Sequence, residues 1–241
     1  MKKAFLLLMV VALTFALVAI AVSAPINNVT ATKHNLSTSG SGSWHSTGDE
    51  DQICVFCHTP HQAGTSQDPL WNHTLSTVAA YGVYASNTLN ASPAEIAGTN
   101  NASLLCMSCH DGTVAVNSLY NPSNDVTDLT SGFANGGSIN SNANLGTDLS
   151  NDHPVNFSYT AALATADGGL ADPGTSGNSM GTFDTDYPGR NLDQVLVPGN
   201  SFQCSSCHGP HIYYGGSQAG YAPFLKVDNT GSGLCLSCHI K

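Results

Sequence analysis

Four copies of one short motif hold every cysteine of this chain. In each copy two cysteines separated by two residues are followed at once by a histidine. The cysteine pairs are Cys54 and Cys57, Cys106 and Cys109, Cys204 and Cys207, and Cys235 and Cys238, and the histidines that follow them are His58, His110, His208 and His239. With only 10 histidines in 241 residues, chance does not place four of them at this position. The pattern is typical of covalent c-type haem attachment.

The spacing of the motif suits this chemistry. The two cysteine sulfurs bond to the two vinyl groups at one edge of a haem, and the adjacent histidine supplies an imidazole nitrogen to the iron. The sequence therefore predicts four covalently attached haems (heme c), with His58, His110, His208 and His239 as the proximal iron ligands.

Zinc sites and disulfides are the alternative uses of paired cysteines. Zinc ribbons separate their cysteine pairs by about 15–20 residues, whereas these pairs begin at the unequally spaced residues 54, 106, 204 and 235. Neither zinc nor disulfide bonding explains a histidine after every pair. Both alternatives are therefore disfavoured.

Six further histidines are available for the four sixth positions. His61 and His211 follow two of the motifs in the same Cys-His-x-Pro-His context, in which the proline turns the chain away from its own haem. His153 precedes a proline in a long polar stretch, and His34 lies in the polar N-terminal segment. We expect these four as distal ligands, with His73 as a lower-ranked candidate and His45 as the weakest.

The composition predicts an irregular fold. Only 9% of the residues are charged, against about 25% in an ordinary soluble domain, and no sustained helical apolar period follows residue 24. We expect a single tetrahaem cytochrome domain over residues 25–241. It should be mostly coil, with short α-helical turns around the haems and few or no β-strands, in a multihaem cytochrome c architecture.

The N-terminus predicts export. Lys2 and Lys3 precede an apolar run that ends in small residues, so residues 1–24 are interpreted as a signal peptide. Without them, four lysines and arginines remain against 16 acidic residues. This balance argues against nucleic acid as a partner.

The segments "TKHNLS", "CVFCHTPH", "PLWNHTLS", "LCMSCHDGT", "NDHPVNFSY", "CSSCHGPH" and "LCLSCH" together resemble the extracellular tetrahaem cytochromes that polymerise into filaments, the OmcE-type microbial nanowires. The resemblance implies a line of haems along a fibre of little secondary structure. It also implies a head-to-tail homopolymer in which one iron per subunit takes a histidine from its neighbour, for which the segment around His34 is the candidate. Other cytochromes or extracellular electron acceptors would be the further partners.

The functional prediction is extracellular electron transfer through four bis-histidine haems in a conductive cell-surface filament. A soluble periplasmic tetrahaem carrier is the alternative. A multihaem reductase is disfavoured, because spare histidines outnumber the irons and few cationic residues remain to bind an anion. We therefore expect no enzymatic activity.

Overall fold

A computed structural model describes residues 28–48, 50–64, 70–97, 101–122, 137–175, 192, 196, 199–215 and 220–240. Most of these residues are coil or turn. The predicted signal peptide, residues 1–24, lies outside the described residues. Within the described ranges no helix is long and apolar enough to cross a membrane.

The described helices are short, and each cysteine motif overlaps one of them. The α-helices are α1 (Ala102–His110), α2 (Ala161–Asp167), α3 (Cys204–Cys207) and α4 (Gly233–Leu236), and the 3-10 helices are Val29–Ala31, Ile53–Phe56 and Thr230–Ser232. Residues three apart lie on the same side of a helical turn. The turn therefore brings the two sulfurs of a motif to one side, as attachment to one haem edge requires.

Side-chain caps explain where the two longer helices begin. The Asn101 side chain accepts a 2.9 Å hydrogen bond from the Leu104 amide at the start of α1. Thr160 does the same for the Leu163 amide at the start of α2, at 3.3 Å. Such caps satisfy amides that have no partner within the helix. Gly168 ends α2 with a left-handed φ of 65°, the usual place for glycine.

In the described part of the chain, four two-residue strands form two small sheets. Strand β1 (Gly82–Val83) pairs in parallel with β2 (Asp148–Leu149), with Gly82 opposite Asp148 and Val83 opposite Leu149. Strand β3 (Phe157–Ser158) pairs antiparallel with β4 (Ser201–Phe202), with Phe157 opposite Phe202 and Ser158 opposite Ser201. These short strand pairs connect segments that are distant in sequence. They are too small to form a sheet face that could serve as a core.

The apolar side chains divide into three clusters, and two of these lie against cysteines of the motifs. Val55, Phe56, Val116 and Ile139 form one cluster, against which Cys57 and Cys109 pack. A larger cluster contains Tyr159, Leu192 and Phe202, and Cys207 and Cys238 pack against it. The third, around Tyr81, Ile96 and Met107, supports α1. The apolar packing is therefore concentrated beside the cysteine motifs.

Candidate functional site: paired histidines beside the cysteine motifs

Three of the four motif histidines lie opposite a second histidine ring. The ring centroids of His58 and His211 are 6.3 Å apart, and those of His110 and His34 are 6.2 Å apart. The rings of His239 and His153 are 6.4 Å apart. Each pair joins one predicted proximal ligand to one predicted distal ligand from a distant part of the sequence.

This spacing fits two imidazoles on opposite sides of one iron. A metal–imidazole nitrogen bond is about 2 Å long and the ring centre lies ~1 Å beyond, so two opposed rings have centres ~6 Å apart. The three pairs, at 6.2, 6.3 and 6.4 Å, match this separation. The residues present therefore fit a haem iron held from both faces.

Backbone carbonyls orient four of the histidine rings. The Nδ1 atom of His110 is 2.7 Å from the Ala143 oxygen, and that of His34 is 3.1 Å from the Pro210 oxygen. The Nδ1 atoms of His153 and His208 are each 2.9 Å from a proline oxygen, those of Pro154 and Pro223 respectively. When Nδ1 donates to a carbonyl, the lone pair is left on Nε2, as is usual for metal-binding histidine.

The environment of two of these histidines also favours the neutral form. The pKa of His34 is lowered to about 4, chiefly by burial and also by the neighbouring His110, His211 and His208, while its bond to the Pro210 oxygen opposes this shift. Burial likewise lowers the pKa of His208. An imidazole must be neutral to give its lone pair to a metal.

His208 is the motif histidine that has no second histidine ring opposite it among the described residues, which include all ten histidines. The remaining well-placed candidate, His61, has an exposed side chain and is not paired with a motif histidine. His34, which the resemblance offered for exchange between subunits, lies opposite His110 of its own chain. Among the described residues, His208 is therefore the motif histidine whose predicted distal partner is not next to it.

His73 and His45 are engaged elsewhere. His73 is fully buried, its Nδ1 atom is 2.9 Å from the Thr74 oxygen and its Nε2 atom is 2.9 Å from the Ala115 oxygen. The Nδ1 atom of His45 is 2.7 Å from the Gly42 oxygen, and the ring is half-buried. Neither ring is paired with a motif histidine, and the environment of His73 is that of a structural residue.

The four motifs follow one another in space. Cys57 of the first and Cys109 of the second pack against the same apolar cluster. Helices α1 and α3 pack together, and the Cys106 thiol is hydrogen bonded to Cys204, which raises the pKa of Cys106 well above its usual value. Cys207 of the third motif and Cys238 of the fourth share the larger cluster. These contacts place cysteines of successive motifs side by side.

A polar network fixes α1 against α3. The Gln203 oxygen accepts from the Ser103 amide at 3.2 Å and from the Ser103 hydroxyl at 2.5 Å. The Cys204 amide donates to the same hydroxyl at 3.1 Å. Gln203 and Ser103 are almost fully buried. Since buried polar groups are costly unless paired, this network specifies how the second and third motifs sit together.

The buried indole N–H groups of Trp44 and Trp71 have no hydrogen-bond acceptor among the described residues. Trp44 packs against the cluster that contacts Cys57 and Cys109. The backbone of Trp71 forms an antiparallel β-bridge with that of His58, and the Trp71 ring lies edge-on to the His58 ring. An unpaired buried donor is unfavourable. A haem propionate is an acceptor that could satisfy such donors in a chain with few cationic side chains.

Among the described residues, no group of three or more His, Cys, Asp and Glu side chains is arranged to hold a metal ion directly. Each pair of rings would supply two nitrogens to an iron, and a porphyrin would supply the remaining four. This donor set matches haem better than a protein-only metal site. No protein-family model matches the sequence, and comparison with curated proteins finds no match.

Some residues that contact the histidines could not be recognised from the sequence. The carbonyls of Pro210, Ala143 and Pro223 orient histidines through the fold of the backbone, and any residue type supplies such an oxygen. The Phe224 ring, which stacks on His34, belongs to no recognisable motif. By contrast, a histidine after each cysteine pair is visible from residue spacing alone.

Proposed function

We propose that this protein transfers electrons extracellularly through four covalently bound, bis-histidine c-type haems, and that its subunits assemble head to tail into a conductive filament. The observation that carries the proposal is the set of three histidine pairs, each of which opposes a motif histidine to a second imidazole at 6.2–6.4 Å. A haem iron exchanges one electron between its ferric and ferrous states.

The residues around each of the three paired sites would hold the iron closed to other ligands. His58 and His211, His110 and His34, and His239 and His153 would bind one iron each from opposite faces. Carbonyl partners at Nδ1 of His34, His110 and His153 select the tautomer in which Nε2 carries the lone pair. With both axial positions held by imidazole, no position remains for a substrate, and this supports electron transfer over catalysis.

The order of the motifs supports a conduit. The first motif lies beside the second, the second beside the third, and the third beside the fourth, through the cysteine contacts described above. Side-by-side attachment edges keep neighbouring irons close, which rapid electron exchange requires. The chain would thereby present its electron carriers as a continuous series.

Assembly would follow from the one incomplete site. His208 has no opposing imidazole in its own described chain, and His61 is exposed. We assign His61 of a second subunit to the sixth position facing His208, in place of the exchange of His34. A contact between two different surfaces of identical subunits produces an open filament when its rotation does not close a ring. The excess of 16 acidic residues over the four lysines and arginines that follow residue 24 favours solubility of such a polymer.

A soluble tetrahaem carrier of the periplasm is the second candidate. This candidate is favoured because three of the four motif histidines have a second histidine ring beside them within the same chain. In that case the site at His208 would remain open, or would be closed by a rearrangement that brings His61 of the same chain to it.

Expression with c-type haem attachment machinery tests the proposal. The purified polymer should show low-spin ferric spectra for all four haems, should resist carbon monoxide when reduced, and should form fibres in negative-stain electron microscopy. Dissociated subunits should bind one carbon monoxide each. A strictly monomeric protein with four low-spin haems would support the soluble carrier, and absence of covalent haem would refute both.

A further inference from the structure

Phe224 lies where the ligands of two different motifs meet. Its ring stacks on the His34 imidazole, with centroids 4.2 Å apart and 16° between the planes. The Tyr214 ring packs edge-on against Phe224, with centroids 4.8 Å apart. The Pro210 oxygen holds the Nδ1 atom of His34 at 3.1 Å. The His34 imidazole is therefore held by a carbonyl at its edge and by a phenyl ring on one face.

The backbone at Phe224 is in an unfavourable conformation that its neighbours impose. Its φ of 60° is left-handed, which is uncommon for a bulky residue. The Phe224 oxygen accepts from the Gly209 amide at 2.8 Å, and the preceding Pro223 oxygen is 2.9 Å from Nδ1 of His208. The Lys226 amide donates to the Cys207 oxygen at 2.9 Å. These bonds attach the segment 223–226 to the third motif while its aromatic ring reaches a ligand of the second.

We propose that Phe224 is a positioning residue that fixes the rotational orientation of the His34 imidazole on the haem iron held by His110. This inference rests on the proposed function. A ring stacked in parallel at 4.2 Å blocks rotation of the imidazole about its bond to the iron. It also keeps water from that face of the ligand. Because solvent exposure and ligand environment tune haem potentials, the ring raises the potential of this one haem relative to an open site.

The test uses the four-haem protein with Phe224→Ala. In ferric electron paramagnetic resonance, the low-spin signal of one haem should move to new g-values while the other three stay in place. In a redox titration, one potential should fall and the others should not change. Phe224→Tyr, which keeps the ring, should restore both readouts. Tyr120→Ala, which removes a half-exposed aromatic ring elsewhere, is the matched control and should change neither.

Two more variants separate the ring from the backbone. Phe224→Gly removes the ring and suits the left-handed conformation, whereas Phe224→Leu keeps apolar bulk without a planar ring. Both should reproduce the shift of a single haem. Unchanged spectra and potentials in the glycine and leucine variants would overturn the positioning role and leave the proposed function intact. A wild-type protein without bis-histidine low-spin haem would refute the proposed function as well, and this measurement is made first.

Discussion

At the scale of residues, the two histidines of the segment 207–211 serve different sites. His208 follows the third cysteine pair, whereas His211, three residues later, faces His58 of the first. The proline between them stops a helix from continuing, so the second imidazole leaves its own motif. One short segment thereby places an imidazole at the third motif and another at the first.

His211→Ala should open the site at His58. The ferric haem there should become high-spin, and the assembled, reduced protein should bind one additional carbon monoxide per chain, measured by optical titration. Carbon monoxide binding equal to that of the wild type would show that His211 is not an axial ligand.

His73→Leu should instead affect stability alone. The substitution removes the imidazole that lies 2.9 Å from the half-buried Thr74 and Ala115 oxygens, to one of which a neutral ring donates. The loss should cost about 1–3 kcal/mol in the free energy of unfolding. Denaturant unfolding measures the loss, and all haem spectra should stay low-spin. His45→Leu, at a half-buried site with one carbonyl contact, is the control with a smaller cost. A high-spin haem in the His73→Leu variant would show that His73 is an iron ligand.

The sequence predicts the roles of some of these residues but not of others. The motif cysteines and histidines follow from spacing, and His211, His34 and His153 were expected as distal ligands, which remains a prediction until haem is measured. Their assignment to particular motifs was not predictable. His34 meets His110 only because the segment 207–211 folds back and presents the Pro210 oxygen. The burial of His73 likewise depends on a bridge to Leu119, which residue order does not reveal.

At the scale of elements, α1 and α3 are joined by a buried polar contact. The described part of the chain is mostly coil with few helices and short strands, and the multihaem cytochrome architecture stays a prediction. Helix α1 has a visible start signal, because asparagine at position 101 is a good cap. The hydrogen bonds between Ser103 and Gln203 could not be predicted, since the two residues are far apart in sequence.

Gln203→Ala should weaken the contact between α1 and α3. The variant loses buried bonds to Ser103, Asn156 and Ser201, and unfolding should become easier by about 1–3 kcal/mol. Thermal unfolding followed at the haem absorbance measures this change. The exposed substitution Thr88→Ala is the control. A Gln203 variant as stable as the control would show that the network does not hold the two motifs together.

The carboxylate of Glu95, in the loop before α1, should make the stability of the folded chain depend on pH. Burial raises the pKa of Glu95, but bonds from the amides of Tyr81, Ala97 and Ile96 outweigh this effect and lower the pKa overall. A lowered pKa means that its stabilisation is present above pH 4.5, the ordinary value, and is lost as the pH falls through the folded-state pKa.

Glu95→Gln should therefore lower the stability near neutral pH and should differ less from the wild type as the solution is acidified. Urea unfolding at a series of pH values tests this, with the exposed Asp51→Asn as control. A stability difference that is independent of pH would contradict the assignment.

At the scale of the whole molecule, one incomplete site would convert a folded chain into a polymer. His61→Ala should abolish fibres in electron microscopy and leave monomers on a sizing column, with one carbon monoxide bound per reduced chain. His45→Ala, which removes a histidine without an assigned ligand role, should still polymerise. Fibres of normal length from the His61 variant would show that another contact drives assembly.

The central claim is that four haems are bonded to this chain, and intact mass spectrometry of the exported protein, followed by peptide mapping, measures it most directly. The mature mass should exceed that of the polypeptide by four haem groups, with one on each peptide that contains Cys54, Cys106, Cys204 or Cys235. A polypeptide mass without haem, or with cysteine pairs joined as disulfides, would contradict the account.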